Sequence, residues 1–266
     1  MSIMGSMPSL QVQEIDTYYE KIGSGSVLIL LHGWANSWES WLPIIPLLSD
    51  HFTLILPDLP GCGKTATPAD GWTTAEHAKW LDGFVIALEN AEQALFSNQQ
   101  SRVSFGGHSY GGKILLEYSS GLYSRVPSKL LLMDASGIPS KRTLKQRVLQ
   151  FSTTLIPQKI KEGLQSSVKQ KMYEKLGLDS DYAWANAFQK KTLNLILRED
   201  YTEKLASIAC PTLILWGKND SSTPVWQGES MHTLIPLNQF HVFDAGHFPH
   251  HDFPKEVSQT VTEFLL

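Results

Sequence analysis

The sequence of 266 residues has few of the features that mark specialised classes of protein. It contains only two cysteines, Cys62 and Cys210, which are too few for a disulfide scaffold, so a reducing compartment, the cytoplasm, is expected. Residues 1–10 have neither the basic start nor the continuous apolar stretch of a signal peptide, and we interpret them as a loose leading segment. The chain has no low-complexity segment and no internal repeat.

Charge of either sign is also scarce. Charged residues make up 18% of the chain, hydrophobic residues make up 42%, and the formal net charge is only −4. These values are typical of a globular protein and exclude a disordered or fibrous chain. They argue against a nucleic-acid partner and against a membrane protein. A chain of this length forms one large α/β domain or two small ones.

The sequence does contain a regular alternation of short apolar runs and helical segments. Apolar or alternating runs predict strands at 11–20, 27–31, 52–56, 102–106, 129–133, 212–216 and 239–243. Helical spacing predicts helices at 37–48, 73–96, 112–120, 225–233 and 254–266, the second starting with a Thr-Thr-Ala-Glu capping box. This alternation indicates a parallel sheet with helices on both faces.

The alternation stops between residues 138 and 204. This stretch has lysine-rich helical segments broken by proline and glycine and no convincing strand, so we interpret it as a helical insertion. Residues 11–137 and 205–266 then form the core domain. The insertion has 13 Lys and Arg against 7 Asp and Glu, whereas the rest of the chain is acidic. An anionic or carrier-bound substrate is one explanation of this charge, and a solvated set of amphipathic helices is a simpler one.

Ser109 is the central residue of a Gly-His-Ser-Tyr-Gly motif, residues 107–111, between a predicted strand and a predicted helix. A sharp turn there strains the serine backbone, and the two glycines remove side chains that would collide with neighbouring elements. The hydroxyl then lies at the positive end of a helix, where a developing oxyanion is stabilised. Ser109 is therefore a candidate nucleophile, although this pattern also occurs by chance.

A serine nucleophile needs a histidine base that a carboxylate orients. Asp220 and His247 each follow a predicted strand, at the edge where open α/β sheets place their sites. The chain order Ser109, Asp220, His247 is an established order of nucleophile, acid and base. Asp134, which follows the predicted strand 129–133, is an alternative acid.

The His-Gly-Trp sequence after the predicted strand 27–31 is a candidate oxyanion-binding loop. Acyl transfer needs two N–H donors for the tetrahedral oxyanion, and we assign them to the backbone of Trp34 and of Tyr110. Trp34, His32 and Gly33 are also predicted to contact the substrate. We expect His32 to brace the loop rather than to act as a base.

Two other patterns suggest different chemistry but fit the sequence less well. Residues 61–65, Gly-Cys-Gly-Lys-Thr, end like a phosphate-binding loop, but Asp58 stands where that pattern requires its first glycine. His247, His250 and His251 could form a metal cluster with nearby aspartates, yet two of these histidines are adjacent in sequence and no thiolate joins them. We expect neither a metal nor an organic cofactor.

Five motifs together resemble the α/β-hydrolase superfamily in content and order. They are Leu-His-Gly-Trp at 31–34, Pro-Asp-Leu-Pro-Gly-Cys-Gly at 57–63, Gly-His-Ser-Tyr-Gly-Gly at 107–112, Gly-Lys-Asn-Asp at 217–220 and Gly-His at 246–247. The resemblance runs from about residue 11 to the end of the chain. It implies an α/β fold with a mostly parallel eight-stranded sheet, helices on both faces and a helical cap, residues 138–204, inserted after the sixth strand. It also favours Asp220 over Asp134, because the Gly-x-x-Asp-x-x-x-Pro context matches the family.

The resemblance implies a serine hydrolase but does not identify its substrate. The leading hypothesis is a carboxylesterase that acts on a small-molecule ester through an acyl-enzyme intermediate. The same triad could cleave a carbon–carbon bond, a thioester or an amide. A weaker resemblance to esterases that act on pimeloyl methyl esters of acyl carrier protein adds a carrier-bound ester. A non-catalytic ligand receptor is the alternative from another class, and it is disfavoured because no triad member is missing.

Overall fold

The computed structural model describes residues 9–96, 103–121, 123–139 and 185–266. Eight strands form one sheet. They are β1 (Ser9–Val12), β2 (Ile15–Gly23), β3 (Ser26–Leu31), β4 (Phe52–Pro57), β5 (Val103–His108), β6 (Leu130–Met133), β7 (Thr212–Gly217) and β8 (Asn238–Phe243). Each strand predicted after residue 20 is present, with ends shifted by at most two residues.

The order of strands across the sheet is β1-β2-β4-β3-β5-β6-β7-β8. Neighbours from β4 to β8 are parallel, whereas β2 is antiparallel to both β1 and β4. The predicted single strand at 11–20 is wrong, because β1 and β2 form a hairpin. Gln13 occupies the turn with a φ of 56°, a conformation that glycine and asparagine prefer, so the composition carries no turn signal there.

The helices connect the strands. They are α1 (Ile45–Leu48), α2 (Thr74–Ala91), α3 (Gln93–Phe96), α4 (Tyr110–Ser120), α5 (Ala187–Ile196), α6 (Trp226–Leu234), α7 (Pro249–Asp252) and α8 (Pro254–Leu265), with 3-10 helices at Trp38–Trp41 and Thr202–Ser207. The predicted helix at 37–48 is a 3-10 turn followed by α1, with Pro43 between them. The predicted capping box is present at Thr73 and Glu76. Within the described residues, no helix is both long and apolar enough to cross a bilayer.

Alternate side chains of the central strands pack on opposite faces of the sheet. Leu28 and Leu30 belong to one apolar cluster, and Ile29 and Leu31 belong to the other. All four are fully buried. Burial of one such side chain stabilises the fold by about 1.5–3 kcal/mol relative to an exposed position. The two layers fix the sheet and, with it, the strand ends at which the candidate site residues lie.

Most of the predicted cap, residues 138–204, lies outside the described residues. The part from residue 185 onward contains α5 and the start of the second 3-10 helix. Asn186 and Gln189 form a capping box at the start of α5, and both side chains donate to the carbonyl of Gly61. These bonds hold α5 on the core. The cap as a separate domain stays a prediction.

Candidate active site

The chain turns sharply from β5 into α4 at Ser109. This residue has a φ of 53° and a ψ of −114°, which is strained for a residue with a side chain. Its backbone N–H donates to the carbonyl of Met133 at 3.0 Å, which ties the turn to β6. A Cβ on Gly107 would lie 2.5 Å from the backbone of Gly111, and a Cβ on Gly111 would lie 2.3 Å from the Leu31 carbonyl oxygen. The turn therefore requires both glycines.

The loops after β7 and β8 bring Asp220 and His247 together. His247 Nδ1 lies 2.7 Å from Asp220 Oδ2; the Asp220 side chain is fully buried, and the His247 side chain is 18% exposed. A carboxylate oxygen can only accept, so Nδ1 donates and Nε2 is the ring nitrogen that can accept a proton. His247 and Ser109 line the same cavity. Proton transfer between Ser109 and His247 stays a prediction.

The Asp220 carboxylate accepts three further hydrogen bonds. Oδ1 accepts from the backbone N–H groups of Ser222 at 2.7 Å and Thr223 at 3.0 Å, and Oδ2 accepts from the Thr223 hydroxyl at 2.6 Å. Burial raises the pKa of Asp220, but the hydrogen bonds from His247 and Thr223 outweigh burial, and the pKa lies below its usual value. Sequence reasoning missed Thr223. A threonine three residues after an aspartate in a loop is the turn signal that points to it.

Asp134, the alternative acid, lies at the end of β6. It is fully buried, and its Oδ1 accepts the N–H of Gly217 at 2.8 Å. It belongs to the same cluster as Asp220 and His247, since one ligand atom from each lies within 4.8 Å of the others. The carboxylate that is hydrogen-bonded to His247 is that of Asp220. The geometry thus favours Asp220 as the partner of His247.

His32 braces the loop that follows β3. Its Nε2 accepts the N–H of Leu59 at 2.9 Å, and its Nδ1 donates to the carbonyl of Gly33 at 2.8 Å. This pattern requires a neutral ring, and burial lowers the pKa of His32 to about 4. Gly33 lines the cavity, whereas His32 is fully buried behind it and is not among the described lining residues. The predicted substrate contact of His32 is therefore corrected to a bracing role.

Trp34 and Tyr110 lie beside Ser109 in the cavity wall. The indole Nε1 of Trp34 donates to the carbonyl of Gln189 at 3.1 Å, which links this loop to α5. The Tyr110 side chain is buried, and its hydroxyl lies 3.0 Å from Nδ1 of His77. Both residues are thus held in place on either side of the nucleophile turn. The role of their backbone N–H groups as oxyanion donors stays a prediction.

A cavity of about 290 Å³ opens at Ser109. Its apolar wall includes Leu193 and Ile196 of α5 and Phe248 of the His247 loop. The volume is at the lower end of the range for ligand sites. The lining also has polar side chains, among them those of Asn36, Ser136 and Gln227.

Lys113 is the one lysine or arginine among the described residues that line this cavity. Its Nζ donates to the backbone carbonyls of Ile196 and Glu199 and lies 3.5 Å from the Glu199 carboxylate. Burial lowers the pKa of Lys113, and the neighbouring Glu199 charge opposes that effect. The positive charge of Lys113 is therefore balanced by the Glu199 carboxylate and by two backbone carbonyl groups.

His108 links the nucleophile turn to the loop that carries His247. Its Nε2 donates to the backbone carbonyl of His247 at 2.7 Å, and the two rings lie 4.7 Å apart. Burial, together with the neighbouring histidines, holds the pKa of His108 well below its usual value, so the ring is neutral. The sequence around His108 does not predict this contact, because His108 and His247 are 139 positions apart in the chain.

Among the described residues, one group of ligand atoms is close enough to hold a metal ion, that of Asp134, Asp220 and His247. A metal would have to displace the hydrogen bond between His247 and Asp220. His251 donates through Nε2 to a backbone carbonyl, and burial lowers the pKa of His250 to about 3. We therefore interpret Asp220 and His247 of this group as a hydrogen-bonded pair of side chains rather than as metal ligands.

The strand order, the turn at Ser109 and the cavity beside it define an α/β hydrolase. The model of the alpha/beta hydrolase family matches residues 28–260. The chain therefore belongs to this family.

Several proteins resemble the chain over nearly its whole length. The 2-hydroxy-6-oxo-6-(2'-aminophenyl)hexa-2,4-dienoic acid hydrolase of Metapseudomonas resinovorans is 26% identical, over 94% of this chain and 88% of the relative. The 2-hydroxy-6-oxo-2,4-heptadienoate hydrolase of Pseudomonas putida is 25% identical, over 94% of this chain and 93% of the relative. The structure of a thermophilic esterase from Thermogutta terrifontis is 25% identical, covers 98% of each chain and has a TM-score of 0.68. The family is shared by hydrolases that act on different bonds.

Proposed function

We propose that this protein is a serine hydrolase that cleaves a carboxylic ester through an acyl-enzyme intermediate. Ser109 is the nucleophile, His247 the base and Asp220 the acid. The observation that carries the proposal is the 2.7 Å hydrogen bond between His247 Nδ1 and the buried Asp220 carboxylate, at a cavity shared by His247 and Ser109. A serine on a strained strand-to-helix turn beside such a pair has the parts that acyl transfer needs.

The reaction starts when Ser109 Oγ attacks the ester carbonyl and His247 Nε2 accepts the hydroxyl proton. Asp220 holds the ring through Nδ1 and stabilises its positive charge. The backbone N–H groups of Trp34 and Tyr110 donate to the oxyanion. His247 then gives its proton to the leaving alcohol, and an acyl ester of Ser109 remains. Water, deprotonated by His247, releases the acid and restores the serine.

The surroundings of Lys113 support a neutral acyl group as the substrate. An available cation in the cavity would strengthen the binding of a substrate with a free carboxylate. Lys113 is already matched by two carbonyl oxygens and the Glu199 carboxylate. Within the described part of the wall, an uncharged ester therefore fits better than a dicarboxylic or keto acid. The structural resemblance to the esterase from Thermogutta terrifontis supports hydrolysis of an ester.

Cleavage of a carbon–carbon bond is the second candidate. Its support is the relative from Metapseudomonas resinovorans, a hydrolase of a hydroxy-oxo-dienoic acid. The same serine, base and acid would serve this reaction. Thioesters and amides use the same groups as well.

The expected partners depend on the insertion. The basic residues of 138–204 are the basis for an anionic or carrier-bound acyl group as substrate. Most of that stretch lies outside the described residues. The proposal therefore keeps a small-molecule ester as substrate, in the cytoplasm. A receptor without catalysis stays the alternative from another class.

Turnover of p-nitrophenyl butyrate tests the proposal. Ser109→Ala removes the nucleophile, so kcat/KM is expected to fall about 10⁴-fold or more. A fluorophosphonate probe should label the wild-type peptide that contains Ser109 and should fail to label the variant. Parallel assays with a 2-hydroxy-6-oxo-dienoic acid separate ester from carbon–carbon cleavage.

Ser120→Ala is a matched control, because this serine lies at the far end of the same helix and its hydroxyl bonds to the Glu117 carbonyl. It should keep wild-type turnover. Full activity of Ser109→Ala would overturn the mechanism. Cleavage of the dienoic acid without turnover of the ester would favour a carbon–carbon hydrolase over an esterase. Tight ligand binding without labelling by the probe would favour a receptor without catalysis.

A further inference from the structure

Asp134 has an unusual backbone and lies behind the acid–base pair. Its φ is 44°, in a region that residues with side chains seldom adopt, and its side chain is fully buried. Its N–H donates to the carbonyl of Leu215 at 3.0 Å, and its own carbonyl oxygen lies 3.0 Å from Oγ1 of Thr223. Strained residues persist only where the surrounding structure holds them, and they cluster at functional sites.

The two carboxyl oxygens of Asp134 have different surroundings. Oδ1 accepts the N–H of Gly217 at 2.8 Å, whereas Oδ2 is buried and has no hydrogen-bond partner in the described structure. A ligand atom of Asp134 lies within 4.8 Å of those of Asp220 and His247. The unpartnered Oδ2 and the neighbouring Asp220 carboxylate are thus close in space.

Two buried carboxyl groups this close are not both ionised at low cost. The hydrogen bonds around Asp134 and Asp220 indicate which of the two carboxyl groups is ionised. Asp220 accepts four hydrogen bonds, and its pKa is lowered, whereas Asp134 accepts one from Gly217. Burial, together with the nearby Asp220 charge, raises the pKa of Asp134 to about 10. A raised pKa favours the protonated form of Asp134, which has an O–H to donate.

We propose that Asp134 is a positioning residue for the reaction: its neutral carboxyl donates a hydrogen bond to the Asp220 carboxylate and thereby fixes the group that orients His247. This role rests on the proposed function, because its effect is exerted through Asp220 and His247. Asp134 touches neither the substrate nor the reacting atoms. Its acceptor Oδ1, bonded to Gly217, sets the direction in which the O–H points.

Two substitutions separate this role from a purely structural one. Asp134→Asn keeps an acceptor for Gly217, supplies an N–H donor in place of the O–H, and suits a positive φ. Asp134→Gly also suits the backbone but removes both polar groups. If Asp134 is neutral, asparagine imitates it; if Asp134 is ionised, asparagine removes a charge.

The test is hydrolysis of p-nitrophenyl butyrate by the full chain, with thermal melts to verify folding. We expect Asp134→Gly to lower kcat about tenfold or more, the loss typical of a hydrogen bond to a charged group, with KM changed less than about twofold. Asp134→Asn should restore kcat to within about threefold of wild type. In an Asp220→Asn background, the substitution Asp134→Gly should cost less than about twofold, because the group through which it acts is gone.

Three results would overturn the inference. These are wild-type kcat in a folded Asp134→Gly variant, a loss in Asp134→Asn as large as that in Asp134→Gly, and an undiminished Asp134→Gly effect in the Asp220→Asn background. If the glycine variant does not fold, the asparagine variant decides alone, since an ionised Asp134 predicts a loss of tenfold or more. The Ser109→Ala variant distinguishes failure of the proposed function from failure of this inference. Full activity of that variant would contradict the serine mechanism, whatever the kinetics of the Asp134 variants.

Discussion

The histidines around the cavity differ in what their ring nitrogens contact. His32 and His108 are buried, bond to backbone groups and have depressed pKa values. His247 has a side chain that is 18% exposed, and its partner is the Asp220 carboxylate. These histidines are the same residue type, and they differ in their hydrogen-bond partner and in the exposure of the side chain. His32 and His108 stabilise the loops of the site through hydrogen bonds to the backbone, whereas His247 is suited to accept and donate a proton.

Replacement of His247, the proposed base, is expected to have the largest effect. His247→Gln removes the base, so kcat/KM for p-nitrophenyl butyrate should fall about 10⁴-fold or more. The fold should persist in thermal melts, because the side chain lies partly in the cavity. Activity within tenfold of wild type would show that His247 belongs with the bracing histidines.

The carboxylate partner of His247 is expected to matter almost as much. Asp220→Asn keeps the shape of the side chain but removes the charge and changes the hydrogen-bond pattern at Nδ1. A loss of about 10³- to 10⁴-fold in kcat is expected, as in other triads whose acid is replaced by asparagine. Steady-state kinetics would measure it. A loss of only a few-fold would mean that Asp134 or another group orients the ring.

The bracing histidine next to the nucleophile should have a smaller effect on turnover. His108→Phe keeps a ring in the buried site but removes the donor to the His247 carbonyl, and we expect kcat to fall about tenfold. His108→Gln is the matched control, because its side-chain amide can donate to the same carbonyl. Equal kinetics for the two variants would contradict a positioning hydrogen bond.

The other bracing histidine should affect stability and its pH dependence. The pKa of His32 is about 4 in the folded protein and about 6.5 in the unfolded chain, so the unfolded chain binds more protons between these values. The free energy of unfolding should therefore rise with pH from about 4 to 6.5. Urea unfolding should show a shallower rise for His32→Gln than for wild type, by at most about 1.4 kcal/mol per pH unit. Identical slopes would show that His32 is not buried in its neutral form.

The nucleophile turn could be predicted from sequence because its requirements are local. Gly107 and Gly111 mark the turn, and strand ends locate Asp220 and His247. The hairpin at Gln13 carried no turn signal. The bond of His108 to the His247 carbonyl could not be predicted, because it joins residues distant in sequence. The family resemblance favours Asp220 over Asp134 already at the level of sequence, and the structure adds the physical reason, since the two carboxyl groups differ in the donors that surround them.

The central claim is that Ser109 carries the acyl group during turnover. Rapid mixing of the enzyme with excess p-nitrophenyl butyrate, followed by acid quench and peptide mass analysis, tests it most directly. The account predicts a butyryl group on the peptide that contains Ser109 and none in Ser109→Ala. Turnover with no acylated peptide, or with the acyl group on another residue, would contradict it.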